Sequence, residues 1–188
     1  MKNIILSGMP AAGKSTVANI IAKQINLKYI AGGNLLKEIA AERGYAVTGD
    51  EWWDTDDAKR FVRDRMNDPS IDRQVDARLK ELISNGGFVL TSYSLPWLVN
   101  GEITVWLEAS EDNRAKRMAK RDGYTIDRAL NVIKQRDREN IRYYRRIYGY
   151  NLAKDHMVFK IILDVNDISP ERIAEIVVLY YRYYGKDV

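Results

Sequence analysis

A phosphate-binding loop near the beginning of the chain carries the clearest chemistry in the sequence. Gly8, Gly13, Lys14 and Ser15 occupy the fixed positions of the pattern G-x-x-x-x-G-K-[ST]. In such loops backbone N–H groups surround phosphate oxygens, the lysine reaches the β- and γ-phosphates, and the hydroxyl ligates Mg²⁺. We therefore predict a nucleoside triphosphate site in which Lys14 is catalytic and Ser15 is the magnesium ligand. The residues predicted to bind the triphosphate are Gly8, Met9, Pro10, Ala11, Ala12, Gly13, Lys14, Ser15 and Thr16.

The sequence on either side of this loop has the pattern that the motif requires. Residues 3–6 form a short apolar run typical of a buried strand. After the loop, Val17, Ala18, Ile21 and Ile25 recur at helical spacing. Because the motif lies between a strand and a helix, a chance glycine-rich turn is a poor explanation for it.

Further strands and helices alternate along the chain. We predict strands at residues 27–30, 88–90, 103–107 and 158–163, with helices between them. This alternation indicates a parallel sheet that is covered on both faces. The predicted fold class is α/β: a five-stranded parallel sheet flanked by helices, with the phosphate-binding loop after the first strand, as in the P-loop kinases or NTPases.

Two helical stretches are longer than a simple crossover needs. We interpret residues 32–84 as an insert that binds the acceptor and residues 114–149 as a lid. In the insert, the spacing of Thr48-Gly49-Asp50-Glu51 predicts the start of a helix. In the lid, Gly123 separates two predicted helices, the second of which runs from about Ile126 to Tyr148. The rest of the single predicted domain, residues 1–188, is a core made of residues 1–31, 85–113 and 150–188.

The composition excludes several classes of protein. The 188 residues include no cysteine, which excludes a disulfide framework and a thiolate metal site. No apolar run approaches the roughly 20 residues of a membrane span, and the first strand begins too early to leave room for a signal peptide. We therefore expect a cytoplasmic protein without a membrane partner, either a monomer or a small homo-oligomer.

The segment from Arg114 to Arg146 is strongly basic, although the net charge is only +4. It holds twelve Lys or Arg residues against four acids. Unless it is simply a solvated helix face, it indicates an anionic partner, either nucleotide phosphates or nucleic acid. Small-molecule nucleotides are the favoured partners, since arginines neutralise the charge on a transferring phosphoryl group. Nucleic acid is not expected, because aromatic residues are not interleaved through the first half of the segment.

Several segments together resemble the archaeal-type cytidylate kinases, within the nucleoside monophosphate kinases. The resemblance covers nearly the whole chain. The loop at Gly8–Thr16 is common to P-loop proteins, whereas residues 68–78 (DPSIDRQVDAR) closely match an element that is more particular to the family. The other matching positions are residues 31–37, 114–121 and 136–139, with Arg142 and Tyr148-Gly149.

The resemblance implies that the γ-phosphoryl group of ATP is transferred to CMP or dCMP in the presence of Mg²⁺. Lys37 and Arg73 would hold the acceptor phosphate, and Asp72 or Asp76 would accept from the cytosine amino group or order the arginine. A monophosphate is already an anionic nucleophile, so no general base is needed, and His156 is expected to be a surface residue. The lid arginines expected to clamp phosphates are Arg117, Arg121, Arg136 and Arg142.

The tip of the third predicted strand departs from the family pattern. Where the family has Glu-Gly-Arg, this chain has Thr91-Ser92-Tyr93, so an acceptor-site arginine is missing. Tyr93 is expected to stack on the base, to donate from its hydroxyl or simply to pack. Arg63 or Arg65 in the insert is a candidate to supply the missing charge. Lysine at position 37 also lacks the bidentate phosphate recognition that arginine offers.

Two rival functions stay open at this point. The first is a kinase for another small acceptor: AMP, UMP or a non-nucleotide such as shikimate. The second is an ATP-dependent RNA-associated assembly factor with an adenylate-kinase-like core, for which the basic segment would bind RNA. An assay of acceptors separates these alternatives.

Overall fold

A sheet of five parallel strands lies at the centre of the structure. The strands are β1 (Ile4–Gly8), β2 (Lys28–Ala31), β3 (Phe88–Thr91), β4 (Ile103–Glu108) and β5 (Ile161–Asp164). The computed structural model describes residues 1–48, 52–53 and 55–184. In it the strands lie side by side in the order β2-β3-β1-β4-β5, and every neighbouring pair is parallel. The predicted α/β class with a five-stranded parallel sheet is therefore confirmed.

Helices connect the strands and cover the sheet. Within the described parts of the chain, no helix is long and apolar enough to cross a membrane. The helices are α1 (Lys14–Gln24), α2 (Gly32–Glu42), α3 (Asp56–Asn67), α4 (Ser70–Ile83), α5 (Leu95–Leu98), α6 (Glu111–Asp122), α7 (Ile126–Tyr148) and α8 (Pro170–Tyr184).

Alternate residues of the strands enter different apolar clusters, one on each face of the sheet. Ile4 and Leu6 of β1 pack with residues of α1 and α8. Ile5, between them, packs with residues of α2, α3 and α4. Trp106 of β4 lies in a third cluster with Tyr143 and Tyr144 of α7. Both faces are thus buried, which explains the nearly continuous apolar runs of β1 and β4.

The two helices of the predicted lid, α6 and α7, form a hairpin with well-marked ends. α6 ends at Gly123, which has φ +68°, and α7 begins after Thr125 and ends at Tyr148, as predicted. The side chain of Thr125 accepts a hydrogen bond from the backbone N–H of Arg128 (3.3 Å) and so caps α7. The helices pack through a small apolar cluster of Ala115, Met118, Ala129 and Ile133.

The fifth strand is shorter than predicted, because residues His156–Val158 form a 3₁₀ turn in front of it. The hydroxyl of Thr104 donates to the carbonyl oxygen of Val158 (2.6 Å), which holds this turn against β4. His156 itself is half-buried, with its ring centroid 4.2 Å from that of Trp106, so its predicted surface position is only partly correct.

The insert predicted at residues 32–84 consists of α2, α3 and α4. The helix start predicted at Thr48–Glu51 falls mostly on residues outside the described ranges. The next described helix, α3, is capped by Thr55, whose side chain accepts from the backbone N–H of Ala58 (3.2 Å). Trp52, which precedes α3, is fully buried against Phe61.

Candidate active site

The phosphate-binding loop turns sharply between β1 and α1. Gly8 has φ +150°, and a Cβ at this position would lie 2.6 Å from the carbonyl oxygen of Leu107, so no side chain fits. Gly13 has φ +97° and directly precedes α1. The loop therefore leads into the amino terminus of a helix, where free N–H groups and the helix dipole favour a phosphate.

Lys14 folds back over this loop. Its Nζ donates to the carbonyl oxygens of Gly8 (2.8 Å) and Met9 (3.0 Å) and lies 4.7 Å from the centroid of the Tyr93 ring. Burial, together with the positive charge of Arg114, lowers the pKa of Lys14 to about 7. A phosphate bound in the loop would stabilise the ammonium form and raise this pKa.

A buried ion pair beside the loop was not predicted as part of the site. The guanidinium of Arg114 forms two hydrogen bonds with the carboxylate of Asp137 (2.9 and 2.6 Å), and the two side chains are only 4% and 12% exposed. Arg114 also donates to the carbonyl oxygens of Pro10 (3.2 Å) and Ala109 (3.1 Å). The pair therefore ties α6 and α7 to the phosphate-binding loop.

Arg117 is placed next to the same loop. Its guanidinium donates to the carbonyl oxygen of Ala12 (3.2 Å) and to that of Val165 (2.5 Å), which directly follows β5. It thus bridges the loop and the end of an edge strand through backbone groups. Its predicted contact with a phosphate stays a prediction.

The other predicted lid arginines lie nearer to solvent. Arg121 is exposed and donates to the carboxylate of its neighbour Asp122 (2.6 and 2.8 Å). Arg136 and Arg142 are exposed on α7. The positive charges of Arg121 and Arg136 nevertheless act on the site. Arg121 helps to lower the pKa of Lys14, and Arg136 opposes the rise that burial causes in the pKa of Tyr93. Whether they clamp phosphates stays a prediction.

The two acidic residues of α4 lie on its buried face, and Asp72 is bound by residues from two other helices. Its carboxylate accepts from Nε (2.8 Å) and Nη2 (2.7 Å) of Arg65 on α3, and the Tyr143 hydroxyl of α7 lies 2.5 Å from it. Arg65 Nη2 also donates to the hydroxyl of Tyr144 (3.1 Å). The partners of Asp72 therefore come from α3 and α7 rather than from its own helix.

Asp76, one turn further along α4, is bound differently. It is 5% exposed and accepts from the hydroxyls of Ser94 (2.5 Å) and Tyr148. Burial raises the pKa of Asp76, although both hydrogen bonds oppose this shift. Both partners are hydroxyl groups, which can rotate to suit a ligand.

Tyrosine rings fill the space between the tip of β3 and the second half of α7. The centroid of Tyr93 is 5.7 Å from that of Tyr144, which in turn stacks on Tyr148 (6.0 Å) and Tyr150 (6.1 Å). Burial raises the pKa of Tyr93 to about 12, so its hydroxyl stays protonated at neutral pH. Because Tyr93 contacts both Lys14 and Tyr144, it connects the phosphate-binding loop to the surroundings of Asp72 and Asp76.

The two residues predicted to hold the acceptor phosphate are placed less centrally. Lys37 is half-buried on α2. Arg73 is exposed on α4 and does not join Asp72 and Asp76 on the buried face of that helix. Their predicted role stays a prediction.

The surroundings of Ser15 fit a magnesium ion that is shared with phosphates. Ser15 is exposed in the first turn of α1, beside Lys14. Among the residues that the structure describes, no group of three or more His, Cys, Asp or Glu side chains could hold a metal ion. Mg²⁺ in kinases keeps several waters and takes further ligands from substrate phosphates, so the Ser15 hydroxyl would be one ligand among several.

Comparison with known proteins places the chain among kinases. The sequence model of the "Cytidylate kinase-like family" matches residues 3–167. A cytidylate kinase of Sulfurisphaera tokodaii is 30% identical over 183 residues, covering 96% of this chain and 95% of that protein. A cytidylate kinase of Pyrobaculum aerophilum is 32% identical over 168 residues, covering 88% of this chain and 85% of that protein.

Solved structures with the same fold are more distant in sequence. A shikimate kinase from Acinetobacter baumannii has a TM-score of 0.61 at 16% identity, and the match covers 99% of this chain and 96% of that one. A gluconokinase from Sinorhizobium meliloti has a TM-score of 0.57 at 18% identity, and the match covers 98% of this chain and 94% of that one. At this level of identity the similarity shows the P-loop kinase fold and leaves the acceptor undecided.

Proposed function

Because the chain belongs to the cytidylate kinase-like family, we propose that it transfers the γ-phosphoryl group of ATP to CMP, forming ADP and CDP. The enzyme is then a nucleoside monophosphate kinase with ATP as donor, Mg²⁺ as metal ion and dCMP as a second acceptor. The relatives named cytidylate kinase, which align with nearly the whole chain, support this proposal.

One structural observation carries the proposal. Lys14 of the phosphate-binding loop contacts Tyr93, and Tyr93 contacts Tyr144, whose hydroxyl accepts from Arg65 beside Asp72. A donor phosphate at the loop and an acceptor near Asp72 and Asp76 would therefore be neighbours, joined by this chain of side-chain contacts. Phosphoryl transfer between two nucleotides requires the two sites to adjoin, because the attacking and leaving oxygens have to lie in line with the transferred phosphorus.

On the donor side, the loop would bind the triphosphate through its N–H groups, and Lys14 would exchange its two carbonyl partners for phosphate oxygens. Ser15 would hold Mg²⁺, which supplies charge neutralisation when it is bound. An oxygen of the acceptor monophosphate attacks the γ-phosphorus, and the bond to the β-phosphate oxygen breaks. Arginines of the lid would stabilise the charge that develops in this step.

On the acceptor side, Asp76 is the better candidate to recognise the cytosine amino group. Asp72 is fixed by two hydrogen bonds from Arg65 and by the hydroxyl of Tyr143. Among the described residues, Asp76 accepts only from the hydroxyls of Ser94 and Tyr148, so its oxygens have lone pairs left for an N–H donor. Tyr93, which lies between Lys14 and Tyr144, would contact the base with its ring or donate to it from its hydroxyl.

The test is an acceptor assay with the purified protein, ATP and Mg²⁺. We expect ADP to appear much faster with CMP than with AMP, UMP, GMP or shikimate at equal concentration. Lys14→Ala is expected to abolish turnover with CMP while the far-UV circular dichroism spectrum is unchanged, which shows that the activity belongs to this loop.

Three results would contradict the proposal or its donor site. Faster turnover with AMP, UMP, GMP or shikimate than with CMP would assign a different acceptor. ATP hydrolysis that RNA stimulates and no monophosphate stimulates would point to an RNA-associated factor. A Lys14→Ala variant with full activity would contradict the assignment of the donor site.

A further inference from the structure

Arg65 of α3 is a nearly buried cation in the centre of the acceptor region. Its side chain is 15% exposed, and that of its partner Asp72 is 6% exposed. All hydrogen bonds that the side chain of Arg65 makes to described residues use Nε or Nη2, which donate to Asp72 and Tyr144. The two N–H groups of Nη1 have no partner in the described part of the chain.

The contacts around Arg65 hold it rigidly. The plane of its guanidinium is fixed by the two parallel hydrogen bonds to Asp72, and its centre lies 5.1 Å from the centroid of the Tyr143 ring. The backbone carbonyl of Arg65 also accepts from the Tyr143 hydroxyl (2.9 Å). An arginine oriented in this way can bind an anion with little loss of conformational entropy.

Two other arginines near the phosphate-binding loop are already engaged by protein groups. Arg114 is committed to Asp137 and to backbone carbonyls, and Arg117 is committed to the carbonyls of Ala12 and Val165. Position 93, after β3, carries an uncharged tyrosine. An acceptor phosphate that approaches Lys14 past Tyr93 would therefore need a cation from another element, since burying its charge unpaired is costly.

We propose that Arg65 binds the phosphate of the acceptor nucleotide through Nη1, while Asp72 positions it. This inference rests on the proposed function, because it takes the acceptor to be a monophosphate. The acceptor site then differs from one built around an arginine at the tip of β3, since its cation comes from α3. Because Tyr143 and Tyr144 of α7 hold the same group, acceptor binding and the position of α7 are linked.

The test compares the affinities of CMP and cytidine, which differ only in the phosphate, by isothermal titration calorimetry. The variant is Arg65→Gln combined with Asp72→Asn, which keeps hydrogen-bonding side chains and leaves no unpaired buried charge. We expect the affinity for CMP to fall about 10- to 100-fold, the loss typical of a charge-assisted phosphate contact. The affinities for cytidine and ATP should stay within about twofold of wild type.

Two matched variants complete the experiment. Arg60→Gln removes an exposed arginine five residues away on the same helix and should leave both affinities unchanged. Asp72→Asn alone keeps Arg65 and should keep a clear preference for CMP over cytidine. If the double variant weakens CMP and cytidine equally, or weakens neither, Arg65 does not bind the phosphate.

Failure of this inference and failure of the proposed function give different results. If wild type phosphorylates CMP but the double variant keeps the preference for CMP over cytidine, only the assignment of Arg65 is wrong. If wild type neither binds nor phosphorylates CMP, the proposed function is wrong, and this inference is wrong with it.

Discussion

At the scale of single residues, Lys14 makes the donor site sensitive to pH. Burial lowers the pKa of Lys14 to about 7, so the free protein carries a largely neutral amine above that pH. The unfolded chain retains the ordinary pKa, about 10.4, and binds more protons between these two values. This group therefore destabilises the folded protein most below pH 7, and its penalty declines as the pH rises toward about 10.4.

The same residue predicts proton uptake when the triphosphate binds. A phosphate next to Nζ favours the ammonium form, so at pH 8 to 9 binding of ATP should take up close to one proton. The affinity should then fall up to about tenfold per pH unit in this range, where the nucleotide itself no longer titrates. Calorimetry in buffers of different ionisation enthalpy measures this uptake directly.

Lys14→Arg is the control for this prediction, because an arginine stays charged at every pH tested. Its ATP affinity should be independent of pH between 8 and 9, with no proton uptake. Equal proton uptake by wild type and Lys14→Arg would show that another group titrates.

At the scale of the elements, Arg114 and Asp137 fix the lid helices to the phosphate-binding loop. One side chain belongs to α6, the other to α7, and Arg114 reaches the carbonyl of Pro10 in the loop. The site for the donor phosphates thus depends on how the helical hairpin is seated. Breaking a buried pair by removing one partner is costly, because the remaining charge is left without compensation.

We expect Asp137→Ala to lower the free energy of unfolding by about 3–5 kcal/mol. Urea denaturation followed by circular dichroism measures the change. The matched control is Glu139→Ala on the same helix, where Glu139 is exposed and only accepts from Gln135. That variant should stay within about 0.5 kcal/mol of wild type. If both substitutions lowered the free energy of unfolding equally, the buried ion pair would contribute no more to stability than an exposed carboxylate does.

Elements with strong local signals were predictable from the sequence. Gly123 marks the boundary between α6 and α7, and apolar runs mark β1 and β4. The start of β5 was predicted wrongly, since Val158 and Phe159 have the composition of a strand although the chain turns there. The hydroxyl of Thr104, which is more than fifty residues away in the sequence, donates to the carbonyl oxygen of Val158 in that turn. A contact between residues so far apart cannot be predicted from the neighbouring sequence alone.

At the scale of the whole molecule, the proposed acceptor region assembles from segments that are distant in the chain. Arg65 and Asp72 come from the predicted insert, Tyr93 from the tip of β3, and Tyr143 from the predicted lid. The donor loop was predicted because it is one continuous motif. Tertiary packing pairs Arg65 with Asp72 and buries Arg114 with Asp137. The pattern of charges along the sequence alone therefore did not show that these four residues form ion pairs away from the surface.

Because both substrates would contact several of these segments, ligands should stabilise the whole fold. At 100 times its Kd, ATP should add about 2.7 kcal/mol to the free energy of unfolding. For a chain of this length, that corresponds to a rise in Tm of about 5–10 °C, measurable by differential scanning fluorimetry with Mg²⁺ present. Lys14→Ala should lose most of the ATP shift and keep the shift caused by CMP. A full ATP shift in Lys14→Ala would mean that the nucleotide binds elsewhere.

Trp97 and Tyr150 give the enzyme a built-in optical reporter. Trp97 of α5 follows the tip of β3, Tyr150 follows the end of α7, and their rings stack with centroids 4.1 Å apart and planes 3° from parallel. Any shift of α7 relative to β3 must separate or slide these rings, which changes the emission of the indole. Stopped-flow fluorescence could therefore follow movement of α7 in real time, without an attached dye, once Trp52, Trp53 and Trp106 are replaced by phenylalanine.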